Sequence, residues 1–335
     1  MTNKSISVPA FELPTSAFLS EETRRALAEN EQDQKEWGEQ TAAQCQPIDT
    51  ANAEDIPAIR LQQAEVFYAS TLYKKLTDRY AVTVTPETLA GVYTEVFTPK
   101  EGVAAPNQDR VLLNFHGGSF TAGSRTASHQ ESIPIAAVGQ IKVISVDYRM
   151  GPEHRYPAAI DDAQAVYNEL LKTYAPENIG LYGSSSGAML SAQLITRLIH
   201  ESQPLPAAVS MSCWGAHAID GDSNHTVTAQ LGMAPLKLSD MAYFEGVDET
   251  DPRVIPGLSD ELLSKFPPSL VMTSTRDFCM SSAVHTHSEL VKNGVDAALH
   301  VWEGLGHIFL YDPELPESRQ AYERMVNFFE KKLGQ

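Results

Sequence analysis

From Val111 onward, short apolar runs alternate with helix-length amphipathic segments, and this alternation limits the fold more than any other feature of the chain. The runs are Val111–Phe115, Val143–Val146, Ile179–Tyr182, Ala208–Met211, Leu270–Thr273 and Leu299–Trp302. Helical candidates follow several of them: Ala158–Tyr174, Gly187–His200, Ser281–Asn293 and Glu317–Lys332. Short apolar runs alternating with helices read as strands of a parallel sheet covered on both faces, the intervening helix supplying the crossover that parallel pairing requires. The expectation is an α/β fold with a mostly parallel sheet between helical layers. A chain of 335 residues is long enough to bury such a core.

Two stretches break the rhythm. Residues 1 to about 80 read as polar and helical. Ser20-Glu21-Glu22-Thr23 is a helix-start signal, and Leu61, Ala64, Val66, Tyr68, Leu72 and Leu76 recur at mostly helical spacing. Val82–Thr85 and Gly91–Thr98 follow as paired strands around a Pro-containing turn. The second stretch, from Gly215 to about Leu263, is rich in Gly, Asp and Pro and reads as an insertion between two sheet strands.

Composition excludes several function classes. A formal net charge of −18 repels phosphate backbones and anionic membrane surfaces, so neither nucleic acid nor membrane is expected as a partner. Cys45, Cys213 and Cys279 are sparse, odd in number and far apart, which suits a reducing compartment better than a disulfide framework. Neither HExxH nor paired Cys/His spacing is present, so no metal or other cofactor is expected. His285 and His287 lie two apart in a helical candidate and point to different faces. The N-terminal stretch carries no apolar run of signal-peptide length and no segment approaches a membrane span, so the expected location is cytoplasmic.

Gly183-Ser184-Ser185-Ser186-Gly187 fits G-x-S-x-G, with a strand-like Asn178–Tyr182 before it and a helix-like Ala188–Leu194 after it. In that context the central serine sits on a tight strand-to-helix turn with its hydroxyl raised above the sheet. Only Ser185 has glycine two positions away on both sides, which fixes the register within the serine triplet. Composition alone can produce this motif, so it does not stand by itself.

His116-Gly117-Gly118-Ser119-Phe120 follows the Val111–Phe115 strand. Acyl transfer passes through a tetrahedral oxyanion that needs backbone N–H donors already aimed at it. Gly117 and Gly118 are expected to supply two donors, and Ser186, the residue after the nucleophile, a third. His116 reads as a brace for this loop. Asp277 follows the strand Pro268–Arg276, and His307 follows Leu299–Trp302 in a Gly-flanked loop. The order Ser, Asp, His places an acid and a base after the nucleophile, both delivered to the carboxyl edge of the sheet. Glu303 is a rival acid, too close in sequence to reach the far nitrogen of His307. Arg149, Glu153 and His154 read as a structural polar network, while Trp214 and Phe120 fit either a pocket wall or packing.

With HGGSF, DYRMGPEHRYPAAIDDA (Asp147 to Ala163) and GSSSGA in place, the chain resembles the hormone-sensitive-lipase-like family of α/β-hydrolases from about Arg110 to the C-terminus. TRDFCMSSAV with HVWEGLGHIF is most similar to the branch that includes monoterpene ε-lactone hydrolases. The resemblance implies an α/β-hydrolase fold, with a central sheet of about eight strands and a helical cap. Its cap would be built from residues 1–80 and an insertion at about 215–263, with residues 81–335 as the catalytic domain. It implies a triad of Ser185, Asp277 and His307, an oxyanion hole of Gly117, Gly118 and Ser186, and a dimer. Ser119 departs from the family's third glycine, Gly151 from its usual alanine, and the RDE that often follows the catalytic Asp is absent. The expected activity is hydrolysis of small to medium acyl esters or lactones, with no cofactor. A small-amide hydrolase and a non-catalytic small-ligand receptor on the same scaffold are the alternatives.

Overall fold

A computed structural model describes residues 6–8 and 11–335; part of the N-terminal stretch read for an export signal lies outside the described residues. Three helices come first: α1 (Glu21–Gln44), α2 (Ile56–Tyr68) and α3 (Thr71–Arg79). The Ser20 signal is a true N-cap, its side chain accepting from the Thr23 N–H at 3.0 Å. The periodic Leu61–Leu76 stretch divides in two because Ser70 caps a new helix by accepting from the Tyr73 N–H.

The strands are β1 (Val82–Leu89), β2 (Val92–Pro99), β3 (Val111–Phe115), β4 (Lys142–Val146), β5 (Ile179–Ser184), β6 (Ala208–Ser212), β7 (Ser269–Arg276) and β8 (Ala297–Gly306). They form one eight-stranded sheet in the order β1-β2-β4-β3-β5-β6-β7-β8. β2 runs antiparallel to both neighbours, and every pairing from β4 to β8 is parallel. One detail differs from the expectation. Pro86 lies within β1, and the hairpin turns instead at Ala90-Gly91, both at positive φ. β1 is an edge strand, where a residue without an N–H is tolerated, and two positive-φ residues match the twist of a tight hairpin.

The remaining helices are α4 (Ala127–Gly139), α5 (Ala158–Leu170), α6 (Ser186–His200), α7 (Asp222–Gln230), α8 (Asp260–Leu263), α9 (Met280–Lys292) and α10 (Pro316–Lys332). Alternate residues of β3 serve opposite cores. Val111, Leu113 and Phe115 join the side covered by α5, α6 and α9, while Leu112 joins the side covered by α4 and α10. Residues 215–263 do interrupt the passage from β6 to β7, with α7, α8 and short helical turns. Each parallel strand therefore ends on one edge of the sheet, where its following loop begins.

Candidate active site

The nucleophile candidate stands between the last residue of β5 and the first of α6. Ser185 adopts φ 51° and ψ −123°, a conformation that L-residues avoid unless their surroundings enforce it. The enforcement is visible in the flanking glycines. A Cβ at Gly187 would lie 1.7 Å from the Phe115 carbonyl oxygen, and one at Gly183 2.4 Å from the same atom. The Ser185 N–H donates to Ser212 O at 2.8 Å, pinning the turn to β6. Of the serine triplet, Ser184 is hydrogen-bonded to Glu131 and Ser186 is fully buried. Ser185 alone faces His307.

The Ser185 Oγ is 3.0 Å from His307 Nε2, and His307 Nδ1 is 2.6 Å from Asp277 Oδ1. Asp277 is fully buried one residue past β7; Thr273 Oγ1 donates to its Oδ2 at 2.9 Å and the Cys279 N–H to its Oδ1 at 2.8 Å. A carboxylate only accepts, so the proton of the neutral imidazole sits on Nδ1 and Nε2 presents a lone pair to the serine hydroxyl. Glu303, the rival acid, accepts instead from Ser16 Oγ at 3.0 Å. The Phe278 ring covers His307 with centroids 4.1 Å apart. Three residues expected from their order alone are thus brought into one chain of hydrogen bonds.

The loop after β3 differs from its expectation in register. The Gly117 N–H donates to the buried Glu131 carboxylate at 2.8 Å, so it is occupied and turned away from Ser185. The N–H groups of Gly118, Ser119 and Ser186 donate to no other group among the described residues. Gly118 at φ 124°, Ser119 at φ 55° and Phe120 at φ 56° turn the loop sharply, which moves the free donors one residue along the chain. A donor on Ser119 was missed because only the backbone path distinguishes it from Gly117.

His116 is a brace. It is fully buried, its Nδ1–H donates to Gly117 O at 2.8 Å, and its ring stacks on Tyr148 with centroids 4.3 Å apart. Tyr148 in turn donates to His116 O at 2.7 Å. Burial pulls the His116 pKa down to about 4, so the ring is neutral and serves as structure. Trp214 and Phe120 are packing residues: the Trp214 indole N–H donates to His217 O, and Phe120 stacks on Tyr243. The expected polar network is partly formed, by Arg149 on Asp162 and by Glu153 on Arg60. His154 is exposed and stands outside it.

One further donor set touches the triad. Cys213 Sγ lies within 4.8 Å of donor atoms on Asp277 and His307. Burial first, and the Asp277 charge second, push its pKa well above that of an ordinary thiol.

Comparison with known proteins gives the family and the fold. A family profile described as alpha/beta hydrolase fold matches residues 112–311. An acetyl-hydrolase of Streptomyces hygroscopicus is 32% identical over 242 residues, covering 70% of this chain and 80% of its own. An esterase of Acinetobacter venetianus is 28% identical, with 74% and 82% covered. Among solved structures, one esterase superposes with a TM-score of 0.81 at 28% identity, covering 98% of this chain and 99% of its own. An esterase from the bacterial hormone-sensitive lipase family gives 0.76 at 26% identity, covering 94% and 99%.

Proposed function

Because this chain belongs to the alpha/beta-hydrolase-fold family, on its hormone-sensitive-lipase-like side, we propose that it cleaves esters of small to medium acyl groups through an acyl-enzyme on Ser185. Carboxylic-ester hydrolysis is its reaction; the residue roles and the substrate class are the proposal. The observation that carries it is the unbroken contact from Ser185 Oγ through His307 to Asp277, at 3.0 and 2.6 Å.

His307 Nε2 takes the Ser185 proton as Oγ attacks the ester carbonyl carbon. The carbonyl electrons move onto oxygen, which settles among the N–H groups of Gly118, Ser119 and Ser186. Donors of this kind are worth about 3–4 kcal/mol each when lost. Asp277 holds the imidazole in the required tautomer and offsets its positive charge. Collapse of the oxyanion breaks the C–O bond, and His307 returns the proton to the leaving alcohol. Water, activated by the same imidazole, then releases the acid. A lactone follows the same steps with the alcohol still tethered.

Residues 1–80 and 215–263 act as the cap over this site, and residues 81–335 otherwise form the catalytic domain. An apolar cavity of about 370 Å³, lined by Trp37, Cys45, Arg60, Ala122 and Gly123 among others, lies where α1 and α2 meet the loop after β3. None of Ser185, Asp277, His307, Gly118, Ser119 and Ser186 lines it, so the preference for short acyl, aryl or terpenoid esters over insoluble triglyceride rests on the cap over the site and not on this cavity. The proposed location is the cytoplasm, and the family resemblance implies a homodimer. Its unpaired cysteines fit a reducing compartment, and no helix among the described residues is long and apolar enough to cross a membrane.

The test is a panel of p-nitrophenyl esters of graded chain length, several lactones and matched anilides, assayed with wild type and Ser185→Ala. Cleavage of short esters that vanishes in Ser185→Ala supports the proposal. Preference for anilides would move the assignment to amide hydrolysis, and binding without turnover would move it to a receptor.

A further inference from the structure

Among the buried carboxylates that the mechanism above leaves unused, Glu131 is the most deeply buried of the described residues. Glu131 lies on α4 with 1% of its surface exposed. Its Oε1 accepts from the Gly117 N–H at 2.8 Å, from Ser184 Oγ at 2.5 Å and from the Tyr311 hydroxyl at 2.5 Å. Its Oε2 accepts from Asn114 Nδ2 at 2.8 Å, and Asn114 Oδ1 accepts in turn from Ser145 Oγ at 2.7 Å.

The three donors on Oε1 come from three separate segments. Gly117 precedes the free donor of Gly118, Ser184 precedes Ser185, and Tyr311 lies on the loop that carries His307. These segments are also strained. Ser119, Phe120, Ser185 and Ile308 all hold positive φ without being glycine. Such conformations are costly and persist only where the surroundings over-determine them. A buried group that bonds all three segments is one way to do so.

We propose that Glu131 is a positioning residue, a single carboxylate that ties the oxyanion loop, the nucleophile turn and the His307 loop into one fixed geometry. The inference rests on the reading of Ser185 as nucleophile. A carboxylate suits the place because every neighbour donates to it. Glutamine would keep its oxygen toward Gly117, Ser184 and Tyr311 if its amide faced Asn114, whose own amide can turn over against the Ser145 hydroxyl. Alanine would leave four donors, those of Gly117, Ser184, Tyr311 and Asn114, around an empty site.

The test uses the full chain as wild type, Glu131→Gln, Glu131→Ala and Tyr311→Phe. It reads kcat and KM on p-nitrophenyl butyrate, affinity for a trifluoromethyl ketone that forms an oxyanion on serine, and thermal unfolding. Glu131→Ala is expected to lose about 100-fold in kcat with KM little changed, and the ketone affinity falls in parallel. Glu131→Gln recovers about tenfold of that loss, and Tyr311→Phe loses several-fold with no added effect in the Glu131→Ala background. Folded Glu131→Ala with wild-type kcat, or with KM and ketone affinity shifting alike, overturns the proposal. If Glu131→Ala does not fold, wild-type kcat in both Glu131→Gln and Tyr311→Phe overturns it equally. Turnover that survives Ser185→Ala would overturn the reading beneath it, whereas failure of the Glu131 variants alone leaves Ser185 in place.

Discussion

Arg60, on α2, grips Glu153 with two N–H groups at 2.5 and 2.9 Å, although the two residues lie 93 positions apart. Its other contacts are backbone carbonyls, Thr121 O at 2.7 Å and Gly151 O at 2.8 Å. One guanidinium thus joins the N-terminal helices to the loop after β3 and to the segment after β4. Both side chains are nine-tenths buried, at 10% and 11% exposure.

Removing one partner of such a pair strands the other charge out of water. Arg60→Ala is therefore expected to destabilise the fold by about 3–5 kcal/mol, read as a lower urea midpoint. The double variant Arg60→Ala with Glu153→Gln recovers part of that loss, since no unpaired charge remains. A midpoint unchanged in Arg60→Ala would show that the N-terminal helices are not anchored through this residue.

Acid sensitivity follows from His116. Its pKa is held near 4 by burial, against about 6.5 in the unfolded chain, so between these values the unfolded chain binds a proton that the folded one refuses. Stability is full above pH 6.5 and falls as pH drops toward 4, by up to about 3 kcal/mol from this residue. His217, also lowered to about 4 by burial and by His285, adds in the same direction. Asp312 opposes them: burial raises it to about 6, so its share of stability is lost as pH rises from 3.8 to 6. Urea midpoints between pH 7.5 and 4.5 should fall with acid, and His116→Gln should flatten that fall. An unchanged slope in His116→Gln would contradict the assignment.

The proposed role of Asp277 as the acid of a triad can be separated from its part in the fold. Asp277→Asn keeps the shape but lets the side chain donate to the imidazole, which favours the wrong tautomer. A kcat loss on the order of 10⁴ with little change in KM is expected on p-nitrophenyl butyrate. A loss under tenfold would point to another orienting group.

Gly118 tests the donor loop. A Cβ there would stand 2.1 Å from Ala122 O on a backbone at φ 124°. Gly118→Ala is expected to lose 10²-fold or more in kcat, because the turn that frees the Gly118 and Ser119 donors must open. Gly102, also at positive φ but with open space around its Cβ position, is the control for backbone strain alone.

Much of this was legible in the sequence, and the failures have physical causes. The parallel strands were readable as short, mainly apolar runs; β3, β5 and β6 are buried at every position, whereas β8 at the sheet edge is largely half-exposed or exposed. The meeting of Ser185, Asp277 and His307 in one chain of hydrogen bonds was readable from their order relative to those strands. Helix α4 was missed because its polarity has no helical period: the polar run Ser128–Ser132 is buried along with the apolar Ile133–Ala136, and Pro134 lies within it. Glu131 went with it, since a lone glutamate in an unrecognised helix signals nothing until three distant segments meet on it. The oxyanion loop was misread by one residue because its path depends on positive φ at Ser119 and Phe120, which side-chain chemistry does not announce.

The central claim is that Ser185, and neither neighbour in its triplet, is the nucleophile. The most direct measurement is covalent labelling with a fluorophosphonate, followed by peptide mass mapping of wild type and Ser185→Ala. One adduct per chain, located on Ser185 and absent from the variant, is the predicted result. An adduct on Ser184 or Ser186, or undiminished labelling of Ser185→Ala, would contradict it.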